Sequence, residues 1–436
     1  MTDPQAALRR FVQGTRDAPV DWRSKGFGAL TGPTTAAGLS GAGLGLSDLG
    51  TPMMTLDRGA VEHNVAAMAA WCADRGLSLA PHGKTTMAPA LWLAQLEAGA
   101  RAITVANAFQ LQAGYAFGVR SMVVANEIVG MAELRWLAAT QDADPDLEVL
   151  LWVDSVAAVD RIDAVLSDRS PARPLTVCVE VGSPSGRTGS RAPAEVFGIA
   201  ERVTASPCCV LAGVSGYEGA VPGAGADAVG LAVVEAFLHD LARAYAALAD
   251  RFETPVVTVT AGGSAHFDQV AAVLAPLAGE RDGHTVEVLL RSGAYVVHDD
   301  VHYATVTPSV RGGGPDLQPA IHVWASVLSR PEPELVLLDA GKRDLPFDLG
   351  LPVLLAAVRR GPVVEPVRLG TTQVQRLNDQ HAFVRVAAEC ELVVGDVVRL
   401  GLSHPCTAFD KWRTIAVVDA AADPDPAVVD AMTTFF

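Results

Sequence analysis

Positive charge is scarce in this sequence. Its 33 lysines and arginines face 49 aspartates and glutamates, for a formal net charge of -16. Nucleic-acid binding needs a basic face, and attraction to an anionic membrane surface needs cationic clusters, so the balance argues against both. A small anionic ligand stays open, because a phosphate can be held by a few backbone N–H groups. Long apolar runs are missing too. No stretch approaches the roughly 20 apolar residues of a membrane span, and runs such as 351–358 are short and bounded by Pro, Gly or charge. Residues 1–20 mix Asp3, Arg9, Arg10, Arg16 and Asp17 and show no secretory leader, so the expected location is the cytoplasm. The six cysteines, at 72, 178, 208, 209, 390 and 406, form no CxxC pair. A disulfide framework is therefore not expected, and Cys208–Cys209 reads as two buried thiols.

What is present is apolar bulk: half of the 436 residues are hydrophobic, enough for a large core. Eight short apolar, β-branched runs stand out, at 77–81, 102–106, 121–125, 149–153, 175–181, 210–215, 255–261 and 286–291. Runs of this kind read as strands buried on both faces. Between them lie Ala/Leu-rich helical stretches, such as 88–98, 108–117, 194–204 and 228–251. Strands alternating with helices predict βαβ units, and eight of them over about 215 residues match a (β/α)8 barrel of the TIM type. A doubly wound open sheet is the competing architecture, but normally has fewer strands.

From about residue 300 the pattern becomes alternating runs separated by Pro and Gly, at 321–328, 335–338, 363–369, 382–387, 397–401 and 414–418. These predict a mainly antiparallel β domain. The resulting division is an N-terminal arm (1–50) packed with the β domain and adding a strand to it, a barrel (51–300) and a C-terminal β domain (301–436). Residues 311–315 read as an exposed glycine-rich loop, and Asp57 as a helix N-cap.

Polar residues gather at the carboxyl ends of the barrel runs: His82 and Lys84, Asn107, Asn126 and Glu127, Asp154, Arg187, Tyr217 and Glu218, Gly262-Gly263-Ser264, and Arg291-Ser292-Gly293. In a barrel all these ends meet on one face, where such folds put their chemistry. Lys84 lies three residues past the first run. A lysine desolvated there becomes a nucleophile that condenses with aldehydes. Gly262 and Gly263 allow close approach of a phosphate, Ser264 adds a hydroxyl, and Ser292-Gly293 fits the same site, after strands seven and eight. Arg187 is placed to meet a phenolate oxygen, or else to pair with Glu180; Tyr217 suits a pyridine edge, or plain packing.

A second group is Ser403-His404-Pro405-Cys406. At the end of a β run, residues two apart point to one face. An imidazole and a thiolate there make half of a zinc site, with positions left for water, substrate or another ligand.

These segments resemble the pyridoxal phosphate enzymes with the alanine racemase-type barrel (fold type III), in the branch of D-serine dehydratase and D-threonine aldolase. The likeness rests on Pro81-His82-Gly83-Lys84-Thr85, the Arg187 segment, Tyr217, Gly262-Gly263-Ser264, Arg291-Ser292-Gly293-Ala294-Tyr295, Asp339-Ala340-Gly341-Lys342 and His404-Pro405-Cys406. The resemblance implies that Lys84 anchors pyridoxal 5'-phosphate and then removes the substrate's Cα proton. It implies that His82, Arg187, Tyr217, Gly262, Gly263, Ser264, Ser292, Gly293 and Tyr295 surround the cofactor. It implies a metal on His404 and Cys406, zinc before manganese or magnesium, that binds the β-hydroxyl of a D-amino acid. It also implies a homodimer with sites near the subunit interface. The expected reaction is dehydration of D-serine or a related D-3-hydroxy amino acid to a keto acid and ammonia. The alternatives are a metal-dependent D-threonine-type aldolase and a non-catalytic pyridoxal phosphate carrier. Two departures bear on substrate: Gln380 stands where an acidic residue is expected in Asn378-Asp379-Gln380-His381, and the loop around His298, Asp299, Asp300 and His302 is unusually polar.

Overall fold

The eight apolar runs form eight strands: Ser78–Leu79, Ile103–Val105, Ser121–Val124, Glu148–Val153, Leu175–Val181, Cys209–Gly216, Val256–Ala261 and His284–Leu290. The structure is a computed structural model that describes residues 3–436 other than 31, 33, 170, 282 and 362. Neighbouring strands pair in parallel from the second to the eighth, and the eighth pairs with the first. The ring closes between the first and second strands, where Arg101 N donates to Leu79 O (2.7 Å) and Thr104 N to Pro81 O (2.9 Å). The result is the expected (β/α)8 barrel. Val177, Leu211, Val257 and Val259 are fully enclosed, which is why these strands read as unbroken apolar runs rather than alternating ones.

Local sequence sets the helix ends. The Asn107 side chain accepts from Gln110 N and starts Ala108–Phe117; Gly118 ends it at φ 101, where an added Cβ would strike the backbone of Ala7 and Leu8 at 2.7 Å. Asp57 caps Arg58–Ala73 through Ala60 N (3.0 Å) and also accepts from Ala421 N (2.9 Å). The cap thus ties the barrel to the far end of the chain.

The β domain runs in the order Val353–Arg359, Val397–Gly401, Ile321–Glu332, Leu335–Leu338, Ala382–Val386 and Thr372–Leu377, antiparallel throughout. Met53–Asp57 joins it, antiparallel to Ile321–Glu332 and parallel to Thr414–Val418. The strand expected from the arm therefore comes from just beyond residue 50. The arm's own pair, Pro19–Val20 and Thr34–Thr35, forms a separate two-stranded sheet. The arm helix Ala6–Arg16 touches both domains, through Arg9–Glu97 on the barrel side and Arg16–Asp430 (3.0 Å) on the other.

Some expectations need correcting. The run at 363–369 contributes only Glu365–Pro366, both exposed. Thr372–Leu377 escaped notice because only Val374 and Leu377 of its six residues are buried. The glycine-rich stretch at 311–315 is tied down, since Arg311 grips Asp268 with two bonds of 2.5 and 2.7 Å. All six cysteines are free; only Cys406 is partly exposed. No described helix is long and apolar enough to cross a membrane.

Candidate active site

At the carboxyl ends of the barrel strands a cavity of about 420 Å³ opens beneath the β domain. Lys84, in the single turn Gly83–Thr85 after the first strand, lines it together with His82, Arg187 and Tyr217. Burial lowers the Lys84 pKa; nearby Cys406 opposes this, while Arg187 and Arg291 add to it. Burial also holds His82 well below its usual range, helped by the charges of Lys84, Arg291 and Arg187, and its enclosed Nδ1 has no partner. An amine that sheds its proton easily is what condensation with an aldehyde requires. Arg187 lies over the Tyr217 ring at 5.1 Å and, among the described residues, makes no ion pair with Glu180. Arg291 is fully enclosed, bonded to Thr260 Oγ1 (2.5 Å) and Gly216 O (2.7 Å) and stacked on Trp152. Burial brings it down to about 10. The walls are cationic in a chain that is acidic overall, and they suit an anionic ligand.

The glycine turn differs from expectation. Glu218, fully buried, accepts from Gly262 N (3.0 Å) and Gly263 N (2.6 Å), so an internal carboxylate already occupies the two amides predicted for a phosphate. Gly262 still needs its left-handed φ of 106, and a Cβ on Gly263 would meet Tyr217 at 2.8 Å. The donors left at the rim belong to the eighth strand's turn. Gly293 N and Ala294 N point at Ser264 Oγ (3.3 and 3.1 Å), in a cradle where a Gly293 Cβ would strike His82 at 2.6 Å. These features fit a phosphate at Ser264, Gly293 and Ala294. Ser292 and Tyr295 do not line the cavity. Ser292 lies under the turn and donates to Gly262 O and Gly263 O (3.3 and 3.1 Å); the Tyr295 hydroxyl is buried against Gln95 (3.1 Å). The 3-10 turn Ala294–Val296 swings Tyr295 away from the face that carries Gly293. Tyr303, unnoticed in the sequence, lines the wall and bonds to Ser264.

His404 and Cys406 share this cavity with Lys84. They do not lie on an extended segment. His404 has φ 35 and precedes the short helix Pro405–Phe409, so the turn, rather than strand alternation, brings the two side chains together. Burial would push the Cys406 thiol up, but hydrogen bonds with His404 and Thr85 (3.3 Å) and the charges of His404 and Lys84 bring it below its ordinary value. Burial opposes charge on His404, yet bonds to Cys406 and Asp348 raise it to about 9. A nitrogen and a sulfur that share a proton so readily are a donor pair that a soft or borderline metal can take over. Asp348 accepts from His404 Nδ1 at 2.5 Å and from Thr407 Oγ1 at 2.8 Å. With Nδ1 engaged by Asp348, Nε2 is the His404 atom that would meet a metal. The sequence reading missed Asp348 because it lies 56 residues upstream. Asp348→Asn is expected to weaken metal binding by about 10- to 100-fold, measured by competition with a chelating dye; unaltered affinity would remove Asp348 from the site.

Fold and site together define an alanine racemase-like barrel whose β domain brings a histidine and a cysteine into one cavity with a lysine. Comparisons with known proteins agree on the fold. The profile of the "Putative serine dehydratase domain" family matches residues 320–418. A D-threonine aldolase from Arthrobacter sp. is 27% identical over 377 residues, 86% of this chain and 90% of that protein. The D-threo-3-hydroxyaspartate dehydratase of Delftia sp. is 31% identical over 144 residues, 33% of this chain and 37% of that protein. Its structure superposes with TM-score 0.68 at 21% identity, covering 90% and 99% of the two chains, and a variant with a cysteine replaced by alanine is described as metal-free. D-threonine aldolase from Filomicrobium marinum superposes with TM-score 0.74 at 22% identity, covering 90% and 97%. The alanine racemase of Bacillus anthracis shares the fold (TM-score 0.57, 14% identity, 88% and 97% covered). The chain shares the alanine racemase-like fold of these structures.

Proposed function

We propose that this protein is a pyridoxal phosphate- and metal-dependent lyase that removes the β-hydroxyl of a D-3-hydroxy amino acid, D-serine or a relative, to yield a 2-keto acid and ammonia. The observation that carries the reading is the meeting of Lys84 with His404 and Cys406 in one cavity. Lys84 would hold the cofactor, with Ser264, Gly293 and Ala294 at its phosphate and Arg187 and Tyr217 beside its ring. When bound, that group supplies an electron sink for the charge left at the substrate Cα. Lys84 Nζ, freed by the substrate amine, is the base that takes the Cα proton, and its lowered pKa suits that task. His404 and Cys406 would hold zinc, whose chemistry there is Lewis-acid help to the departing β-hydroxyl. The N,S donor pair favours zinc over manganese or magnesium. Cationic walls at Arg187 and Arg291 offset substrate and phosphate charge. A homodimer is part of the same proposal, supported by Phe347 and Leu349, 47% and 42% exposed on either side of Asp348; light scattering of the purified protein tests it.

A second reading has its own support, since a D-threonine aldolase matches the sequence over 86% of this chain. Both readings use one cofactor and one metal. They separate by product when the protein is incubated with D-serine, D-threonine and D-threo-3-hydroxyaspartate, with and without chelator. Keto acid plus ammonia, lost on chelation, is the expected result. Glycine plus an aldehyde replaces the dehydratase with the aldolase. No turnover by fully loaded protein leaves a carrier.

A further inference from the structure

Beside the cofactor cavity lies a second set of possible ligands with different chemistry. Glu127, Asp154 and Glu180 stand at the ends of the third, fourth and fifth barrel strands, with one carboxylate oxygen from each within 4.8 Å of the others. Glu180 is only 2% exposed and its Oε2 has no partner; the enclosed Glu127 Oε1 has none either. The Glu127 and Glu180 carboxyls are within hydrogen-bonding reach of each other. Two carboxylates in contact, one buried and the other half-buried with an enclosed oxygen, do not readily both stay charged unless a proton or a cation sits between them. Among the described residues, no lysine or arginine forms an ion pair with any of the three. Arg291 feels the Glu180 charge but directs its guanidinium to Thr260 and Gly216. Burial, with Glu180 and then Asp154 adding to it, pushes Glu127 up to about 8. One shared proton serves Glu127 and Glu180 and leaves the half-buried Asp154 with only the Gly189 amide and solvent. A divalent ion serves all three.

We infer that Glu127, Asp154 and Glu180 form a hard-cation site of the magnesium or calcium class, distinct from the His404–Cys406 pair. The all-oxygen donor set fits that class, and its spread leaves room for an ion bonded at the 2.0–2.6 Å typical of such ligands. The site also has a mechanical link to the cavity. Thr188 Oγ1 donates to Glu180 (3.1 Å) and Gly189 N to Asp154 (3.4 Å), and both residues follow directly on Arg187. An ion here would stiffen the segment that carries Arg187. The inference is independent of the reaction proposed above.

The test uses the full-length, cofactor-loaded chain carrying His404→Ala and Cys406→Ser, so that only the oxygen site remains. Manganese is titrated in, and the free ion is followed by paramagnetic resonance. One manganese per chain is expected, displaced by magnesium or calcium, with a rise in melting temperature on binding. Adding Glu127→Gln or Asp154→Asn should weaken manganese binding at least about tenfold. Both amides relieve repulsion, so without metal these variants should melt no lower than their parent, which separates a lost site from a lost fold. If the parent binds no manganese at millimolar concentration, or if the amides leave binding unchanged, the site is refuted. A parent that ignores metal but gains melting temperature on acidification holds a shared proton instead, and that too overturns the inference.

Discussion

Lys84→Ala is expected to leave a protein that folds but retains no cofactor through dialysis and turns over no substrate. The residue sits on a single turn with its amine in the cavity, so its removal disturbs little packing. Two losses combine. The covalent attachment goes, and with it the base at the Cα proton; a positioned base alone is worth about 10²–10⁴-fold in rate. Visible absorbance after dialysis reads the first loss, and product formation reads the second. The pH dependence has a definite sign. Burial lowers the pKa of Lys84, so the neutral amine persists to lower pH than for an exposed lysine. Cofactor capture by the wild-type chain should therefore extend below the range expected of a solvated lysine. Retention of colour by the alanine variant would move the anchor elsewhere and undo the assignment.

Cys406→Ala is expected to spare cofactor binding and abolish metal content. The remaining imidazole is one ligand where a bound metal needs at least two or three from the protein. Lewis-acid stabilisation of a departing oxygen is worth several kcal/mol, so the rate should fall by about 10²-fold or more. Elemental analysis beside the visible spectrum makes the outcome unambiguous: colour present, zinc absent, activity lost. Cys406 has the partners of a ligand more than those of a packed thiol, since its sulfur meets Thr85 and His404 in a cationic pocket. A variant with unchanged zinc would show that the cysteine is only a neighbour.

Much of this was legible in the sequence, for reasons that can be named. Strands enclosed on both faces must be continuous apolar runs, so seven barrel strands lie within a few residues of expectation, and helix Ala108–Phe117 runs between the residues expected because Asn107 and Gly118 mark its ends. The first strand, Ser78–Leu79, shortens because the backbone turns toward Lys84. What stayed hidden depends on tertiary contact. Nothing local says that Glu218 will take the amides of Gly262 and Gly263, 44 and 45 residues away, or that Asp348 will steer His404. The pairing of His404 with Cys406 was anticipated from the wrong geometry, since a histidine at positive φ carries no sequence signal. Tyr295 followed a motif by position, while its backbone turn points it elsewhere.

The strand Met53–Asp57 has a further consequence. It is stitched into the β domain on both edges, and it continues without a linker into the first long barrel helix, Arg58–Ala73. A hinge between the halves would have to tear that seam. The gap between the lysine and the thiol is thus held by main chain, like the fixed jaws of a caliper, and entry to the cavity falls to the loops and side chains around it.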